Sequence, residues 1–349
     1  MRNFIIYVLF YSLLILVSGC TSSGKIVPLQ QESSIKYSII FIIHADANYL
    51  YHDKNGIAMR ADEKVLKEAM QTAEQASDGE IFIFHQKPER KFLWLFRQKS
   101  REFLLYRNGK PAGTQAYSPS SDSLLFSESN IYQTYRVNSR DSVPVFFLYF
   151  GHEIPAENGR GYHHSQPGVA VNVPSFAAGM GNFIPDNRAK FSLAALSTCN
   201  NGTPQIAAAL ADKTDYLLAS PQNLHLSHLD TKALSMLEND VMPAGDQLGE
   251  AIAEDTYHRL TESVFTGITL ALYDLNQLKS YVTTFAEIHD AKTDSLNRYS
   301  VNDNTDCSRR DFFHESDYTE GVKSWFRPPQ FGPDANRTSH SGWGCRPGD

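Results

Sequence analysis

Positive charge is scarce: 32 Lys and Arg face 39 Asp and Glu, a formal net charge of -7 over 349 residues. No basic cluster interleaved with aromatics offsets this deficit, which excludes a general affinity for nucleic acid and leaves peptides or proteins as the expected partners. No glycine-rich phosphate loop follows the first apolar run, so nucleotide binding lacks support. The Gly-x-Ser-x-Gly elbow of serine hydrolases is also missing. His163 and His164 form the one adjacent histidine pair of that region, but no further ligands are spaced around them as zinc requires, so no metal is expected. No internal repeat is evident. Cysteine is sparse, at four residues: Cys20, Cys199, Cys307 and Cys345.

The chain opens with one early positive charge, Arg2, and then an almost purely apolar run to Cys20. That pattern reads as a secretion signal over residues 1–19, too short for a membrane span. Val17 to Cys20 resembles the bacterial lipoprotein lipobox, which implies lipidation at Cys20 and a tether over residues 20–35. The expected location is a bacterial membrane surface, facing the periplasm or the exterior. Removing the signal leaves about 330 residues, enough for one large domain or two small ones. Hydrophobic content of 42% with 20% charged residues is ordinary for a globular protein.

Tyr37 to Ile43 reads as a buried strand, Asp62 to Gln75 as a helix with Asp62 as N-cap, and Glu80 to Phe84 as the next strand. Between residues 91 and 136 the pattern becomes that of an antiparallel ribbon, with a tight turn at Asn108-Gly109. Val143 to Phe150 resumes as a buried strand, followed by a helix near Val173 to Met180 and the strand Phe191 to Thr198. A helix from Pro204 to Ala211, the strand Tyr216 to Ala219, a helix over Asp246 to Val264, the strand Ile268 to Tyr273 and a helix over Leu275 to His289 complete the pattern. Continuous apolar strands alternating with helices specify an α/β fold, with a mainly parallel sheet covered on both faces. Residues 36–291 form this domain, with the ribbon near 91–136 as an insertion, and residues 292–349 read as an irregular C-terminal extension. Cys307 and Cys345, in loop-like sequence, are candidates for a disulfide in an oxidising environment.

Cys199 and His152 each follow an apolar strand, so both are expected at the C-terminal edge of the sheet, where ligands gather on such folds. Thr203 and Pro204 suit a helix start just behind Cys199. A helix N-terminus and a nearby imidazole favour the thiolate, the nucleophilic form, and Asn200-Asn201-Gly202 offers exposed backbone N–H groups for an oxyanion. The competing reading of Cys199 is a small buried hydrophobe. His152 is preferred as base over His163 and His164 because the end of a buried strand holds it firmly. His85, His225 and His228 have weaker claims. His44 follows the first strand and is expected either to line the cleft or to hydrogen-bond within its turn, before Asp46 and Asn48.

An apolar strand ending in His, followed by another ending in a small residue plus Cys, resembles the caspase-haemoglobinase clan of cysteine peptidases, and within it the clostripain-like group. The opening strand with Ala45 to Asn48, the run Asp215 to Ser220, and Thr269 to Leu275 extend the resemblance over residues 37 to 290. It implies a caspase-like fold and a His152–Cys199 dyad acting on a peptide carbonyl without a metal or organic cofactor, with the backbone N–H groups of Glu153 and Cys199 holding the oxyanion. Glu153 stands where the group usually has Gly, and Thr198 where it usually has a smaller residue. Ser197 occupies the place of the acid that goes with Arg or Lys preference, and Asp230 is placed at the sheet edge to replace that charge. Asp215, at the opposite edge, reads as structural. Self-cleavage between the two strands would use Arg160, Arg188 or Lys190. Two other readings stay open: a catalytically inactive peptide-binding lipoprotein on this fold, or a cysteine-dependent amidase or acyl transferase.

Overall fold

A computed structural model describes residues 35–45, 50–52, 56–87, 91–92, 96–97, 101–118, 123–137, 143–156, 168–184, 190–296, 305–309, 313 and 320–345. Its centre is a nine-stranded sheet, whose strands we number in chain order: β1 Tyr37–His44, β2 Gly79–Gln86, β3 Arg101–Arg107, β4 Lys110–Ala116, β5 Val145–Phe150, β6 Leu193–Ser197, β7 Tyr216–Ala219, β8 Ile268–Asp274 and β9 Val322–Arg327. Their spatial order is β9-β8-β7-β6-β5-β1-β2-β3-β4. The five strands from β2 to β7 in that order run parallel. Antiparallel strands close both sides.

The chain leaves β1 in one direction to make β2 and then returns to the other side of β1 to make β5. The order therefore reverses between β1 and β5, and the loops at the C-terminal ends of neighbouring strands diverge there to open a crevice. All eight residues of β1 and all six of β5 are buried. Their side chains alternate between two cores. Ile40, Ile42, Phe147 and Tyr149 enter one; Ile39, Phe41, Phe146 and Leu148 enter the other. This is why these strands read as unbroken apolar runs: each face of the sheet has its own helical cover.

The helices are α1 Ala61–Gln75, α2 Phe126–Tyr135, α3 Val173–Gly181, α4 Pro204–Leu210, α5 Gly245–Ser263 and α6 Leu275–Leu296. In α1, Val65, Ala69 and Ala73 recur every four residues and are fully buried. The residue before this helix is Arg60, not Asp62. Asp62 instead lies in the first turn, where its carboxylate meets His85 Nε2 at 3.0 Å, and that buried pairing takes it away from capping. Asn172 caps α3 by accepting from Ser175 N, and Thr203 caps α4 by accepting from Ile206 N.

The ribbon is the β3–β4 hairpin on the β2 side of the sheet. Its turn residues Asn108 and Gly109 have φ of 48° and 71°, the left-handed pair that a two-residue hairpin needs and that Asn and Gly tolerate. Residues 292–349 contribute more regular structure than their composition suggests. β9 pairs with β8 along six positions, and Cys307 and Cys345 are joined by a disulfide. Among the described residues, no helix is long and apolar enough to cross a membrane.

Candidate active site

Parallel pairing of β5 with β6 sets Phe150 opposite Ser197. His152 and Cys199 each lie two residues beyond that matched pair, so the two side chains leave the same sheet edge from adjacent strands. Gly151 N donates to Ser197 O at 3.3 Å, carrying the register one residue past β5. Both His152 and Cys199 are half-buried, the exposure a group needs to meet a substrate without losing support.

Beyond the strands, two asparagines join the loops. The Asn201 side chain brackets the backbone of Ile154: Oδ1 accepts from Ile154 N and Nδ2 donates to Ile154 O, both at 3.0 Å. Thr198 Oγ1 also donates to Asn201 Oδ1, at 2.6 Å. Asn200 Nδ2 donates to Glu153 Oε2 at 2.7 Å. Asn200 has φ of 56°, a left-handed conformation that asparagine adopts more readily than most side chains. Sequence reasoning valued this Asn-Asn pair only for its backbone. The side-chain bracket has no local signal, because its partner Ile154 lies 47 positions away in the chain.

The third wall is the loop after β7. Cys199 Sγ lies 3.5 Å from Leu224 O, to which the thiol donates. Ser197 Oγ contacts His225 O at 3.1 Å and Leu226 O at 3.0 Å, and accepts from Leu229 N at 3.3 Å. Asn200 N donates to Gln222 O, and Gly202 N to Ser220 O. A Cβ on Gly202 would stand 2.6 Å from Pro221 N and 2.7 Å from the Tyr273 hydroxyl, so only glycine permits this approach.

Two histidines of this wall are held neutral. Burial, then electrostatic repulsion from Lys64 and from the His152 ring, push His225 below its usual pKa. Burial, reinforced by His225, Lys64 and Arg259, takes His228 down to about 3. Backbone donors agree with this: Ser227 N donates to His225 Nδ1, and His225 N donates to His228 Nδ1. Each Nδ1 is therefore an acceptor, which places the proton of the neutral ring on Nε2.

The remaining candidates are distributed as follows. His44 is buried, its Nδ1 3.4 Å from the Tyr149 hydroxyl, beneath the β1–β5 crevice. Asp230 is 2% exposed; its carboxylate accepts from Lys232 N and pairs with Arg259 Nη1 at 3.5 Å. Asp215 lies at the start of β7, where it meets Asn276 and Lys190. Cys20, His163, His164, Arg160, Arg188, Asp46 and Asn48 lie outside the described residues. Among the described residues, no three His, Cys, Asp or Glu side chains gather to hold a metal ion.

No protein-family model and no curated protein matches the chain. Its structure is similar to solved C11 cysteine proteases. One is iotapain, a secreted C11 cysteine protease from Bacteroides thetaiotaomicron, at 16% identity over 78% of this chain and 73% of that one, with a TM-score of 0.49. A secreted C11 cysteine protease from the same organism, in complex with an irreversible peptide inhibitor, matches at 11% identity over 76% and 71%, with a TM-score of 0.47. An inactive zymogen C11 protease from Parabacteroides distasonis matches at 10% identity and a TM-score of 0.47, over 72% of this chain and 65% of that one.

Proposed function

We propose that the chain is a cysteine endopeptidase with His152 and Cys199 as its reacting pair. The observation that carries this reading is the shared register of their strands, locked by the Asn201 bracket between the nucleophile loop and Ile154. A thiol and an imidazole on adjacent strand ends suit one reaction above others, nucleophilic attack on an acyl carbon. The Cys199 thiolate forms the S–C bond as the carbonyl becomes an oxyanion, which backbone N–H groups of Glu153 and Cys199 receive. His152 then gives its proton to the leaving amine as the C–N bond breaks. Water, losing a proton to His152, releases the acid and restores the thiol. No step calls for a metal.

The test is cleavage of a peptide mixture by the full chain, read by mass spectrometry, with iodoacetamide labelling in parallel. Cys199→Ala is expected to abolish both cleavage and active-site labelling, and His152→Ala to lower cleavage by at least ~100-fold, in the range of lost general base catalysis. Cleavage that persists in Cys199→Ala overturns the reading. Lipid attachment at Cys20 is a further part of the proposal, supported by the Val17 to Cys20 pattern. Cys20→Ser is expected to move the protein from the membrane to the soluble fraction, and an unchanged distribution rejects the anchor.

A further inference from the structure

The loop that contacts Cys199 and Ser197 forms one wall of the candidate site, and the charges of that wall can be followed one by one. Residues 220–231 leave β7, receive the Cys199 thiol on Leu224 O and the Ser197 hydroxyl on His225 O and Leu226 O, and carry Asp230 near their end. Ser197 offers no charge, and its hydroxyl is engaged with this loop. Asp230 is the wall's own carboxylate, and Arg259, projecting from α5, sits against it. The same guanidinium meets Glu68 Oε1 at 3.2 Å and donates to the carbonyls of Ser227 and His228. Lys64, from α1, lies 3.7 Å from Glu68 and donates to Ser227 O at 3.1 Å. Two carboxylates thus stand against two half-buried cations, and exposed Lys232 adds a third positive charge beside Asp230. On the other side of Cys199, the Glu153 carboxylate is held by Asn200.

A lysine or arginine side chain entering beside this wall would give up hydration without gaining an uncompensated negative charge from Asp230 or Glu68, the costly way to bury an ion. We propose that the site takes a residue without positive charge on the acyl side of the scissile bond, and that Arg259 is the specificity-determining residue because it cancels Asp230. This rests on the peptidase reading above and names its substrate class. Arg259 touches no reacting atom; its effect is on the ranking of substrates.

The experiment uses the full chain and peptides that differ only in the residue before the scissile bond: Asn, Gln, Leu, Asp, Lys or Arg. In the wild type, the best uncharged or acidic residue is expected to exceed Lys and Arg by at least ~10-fold in kcat/KM, equivalent to ~1.4 kcal/mol of discrimination. Arg259→Gln leaves Asp230 negative, and is expected to raise Lys and Arg cleavage relative to the uncharged residues by a similar factor. Adding Asp230→Asn to it is expected to cancel that shift, which a merely structural role for Arg259 would not produce. A wild-type preference for Lys or Arg overturns the inference even if Arg259→Gln does not fold. A folded Arg259→Gln with an unchanged ranking does so too. Absence of any Cys199-dependent cleavage sinks the peptidase reading and this inference together, whereas Cys199-dependent cleavage after basic residues sinks the inference alone.

Discussion

Asn201 shows how one side chain can set the relation between two loops. It is 2% exposed and satisfies the N–H and C=O of Ile154 while receiving the Thr198 hydroxyl. Backbone groups buried at that point need partners, and removing the amide leaves at least two of them unmade at about 1–3 kcal/mol for an unsatisfied buried group. Asn201→Ala is therefore expected to lower stability by about 2 kcal/mol and to cut kcat/KM by at least ~10-fold, because the His152 and Cys199 loops lose their common clamp. Asn201→Asp separates the two effects. It keeps the acceptor for Ile154 N and Thr198 but loses the donor to Ile154 O, so its activity should fall between wild type and alanine. Denaturant melts alongside iodoacetamide labelling of Cys199 would check both; a labelling rate in Asn201→Ala equal to wild type would separate the clamp from catalysis.

Among the elements, the strands were legible and the wall beside the nucleophile was not. The runs Tyr37 to Ile43 and Val143 to Phe150 announce themselves because both of their faces are buried, and Asn108-Gly109 because its turn chemistry is local. The placement of Cys199 and His152 at one edge followed from the same runs. The loop over 220–231 carries no periodicity. Its structure comes from long-range partners, such as Arg259 on the carbonyls of Ser227 and His228, that no local pattern encodes. That loop also makes the fold sensitive to acid. His228 has a folded pKa of about 3 against an ordinary 6.5, so the unfolded chain binds the extra proton between those values. Stability is fully present above about pH 6.5 and drains away as pH falls toward 3, at up to ~1.4 kcal/mol per pH unit for this one group. His228→Asn, which keeps an acceptor for His225 N, is expected to flatten the loss of Tm between pH 6.5 and pH 4.5; an unaltered slope would assign the acid sensitivity to other groups.

At the scale of the whole molecule, the far end of the chain returns to the loop that carries Cys199. Cys345 is bonded to Cys307, and between β9 and that disulfide the chain lays Trp343 into the core, its ring 4.4 Å from that of Tyr273. The Tyr273 hydroxyl donates to Gly342 O, and Gly344 N donates to Gly202 O at 2.8 Å, three residues beyond Cys199. Composition marked residues 292–349 as irregular because a clip of this kind has no repeat; its order comes from a disulfide, one buried tryptophan and an edge strand. Closing a loop with a sequence separation of 38 stabilises by about 4 kcal/mol on the chain-entropy model. The Cys307→Ser, Cys345→Ser double variant is thus expected to lose about 2–4 kcal/mol in denaturant unfolding. On the proposed peptidase reading it should also lower kcat more than it raises KM, because Gly202 loses a fixed partner while the loop over 220–231 stays on Ser197. Both cysteines are fully buried, so a mild reductant added to keep the Cys199 thiol reduced should leave the native disulfide closed. The double variant, and not reductant treatment, is the measurement that decides. A variant with reduced stability but wild-type kcat would confine the clip to a structural role; a matching fall in kcat and in Cys199 labelling would tie the chain's end to its chemistry.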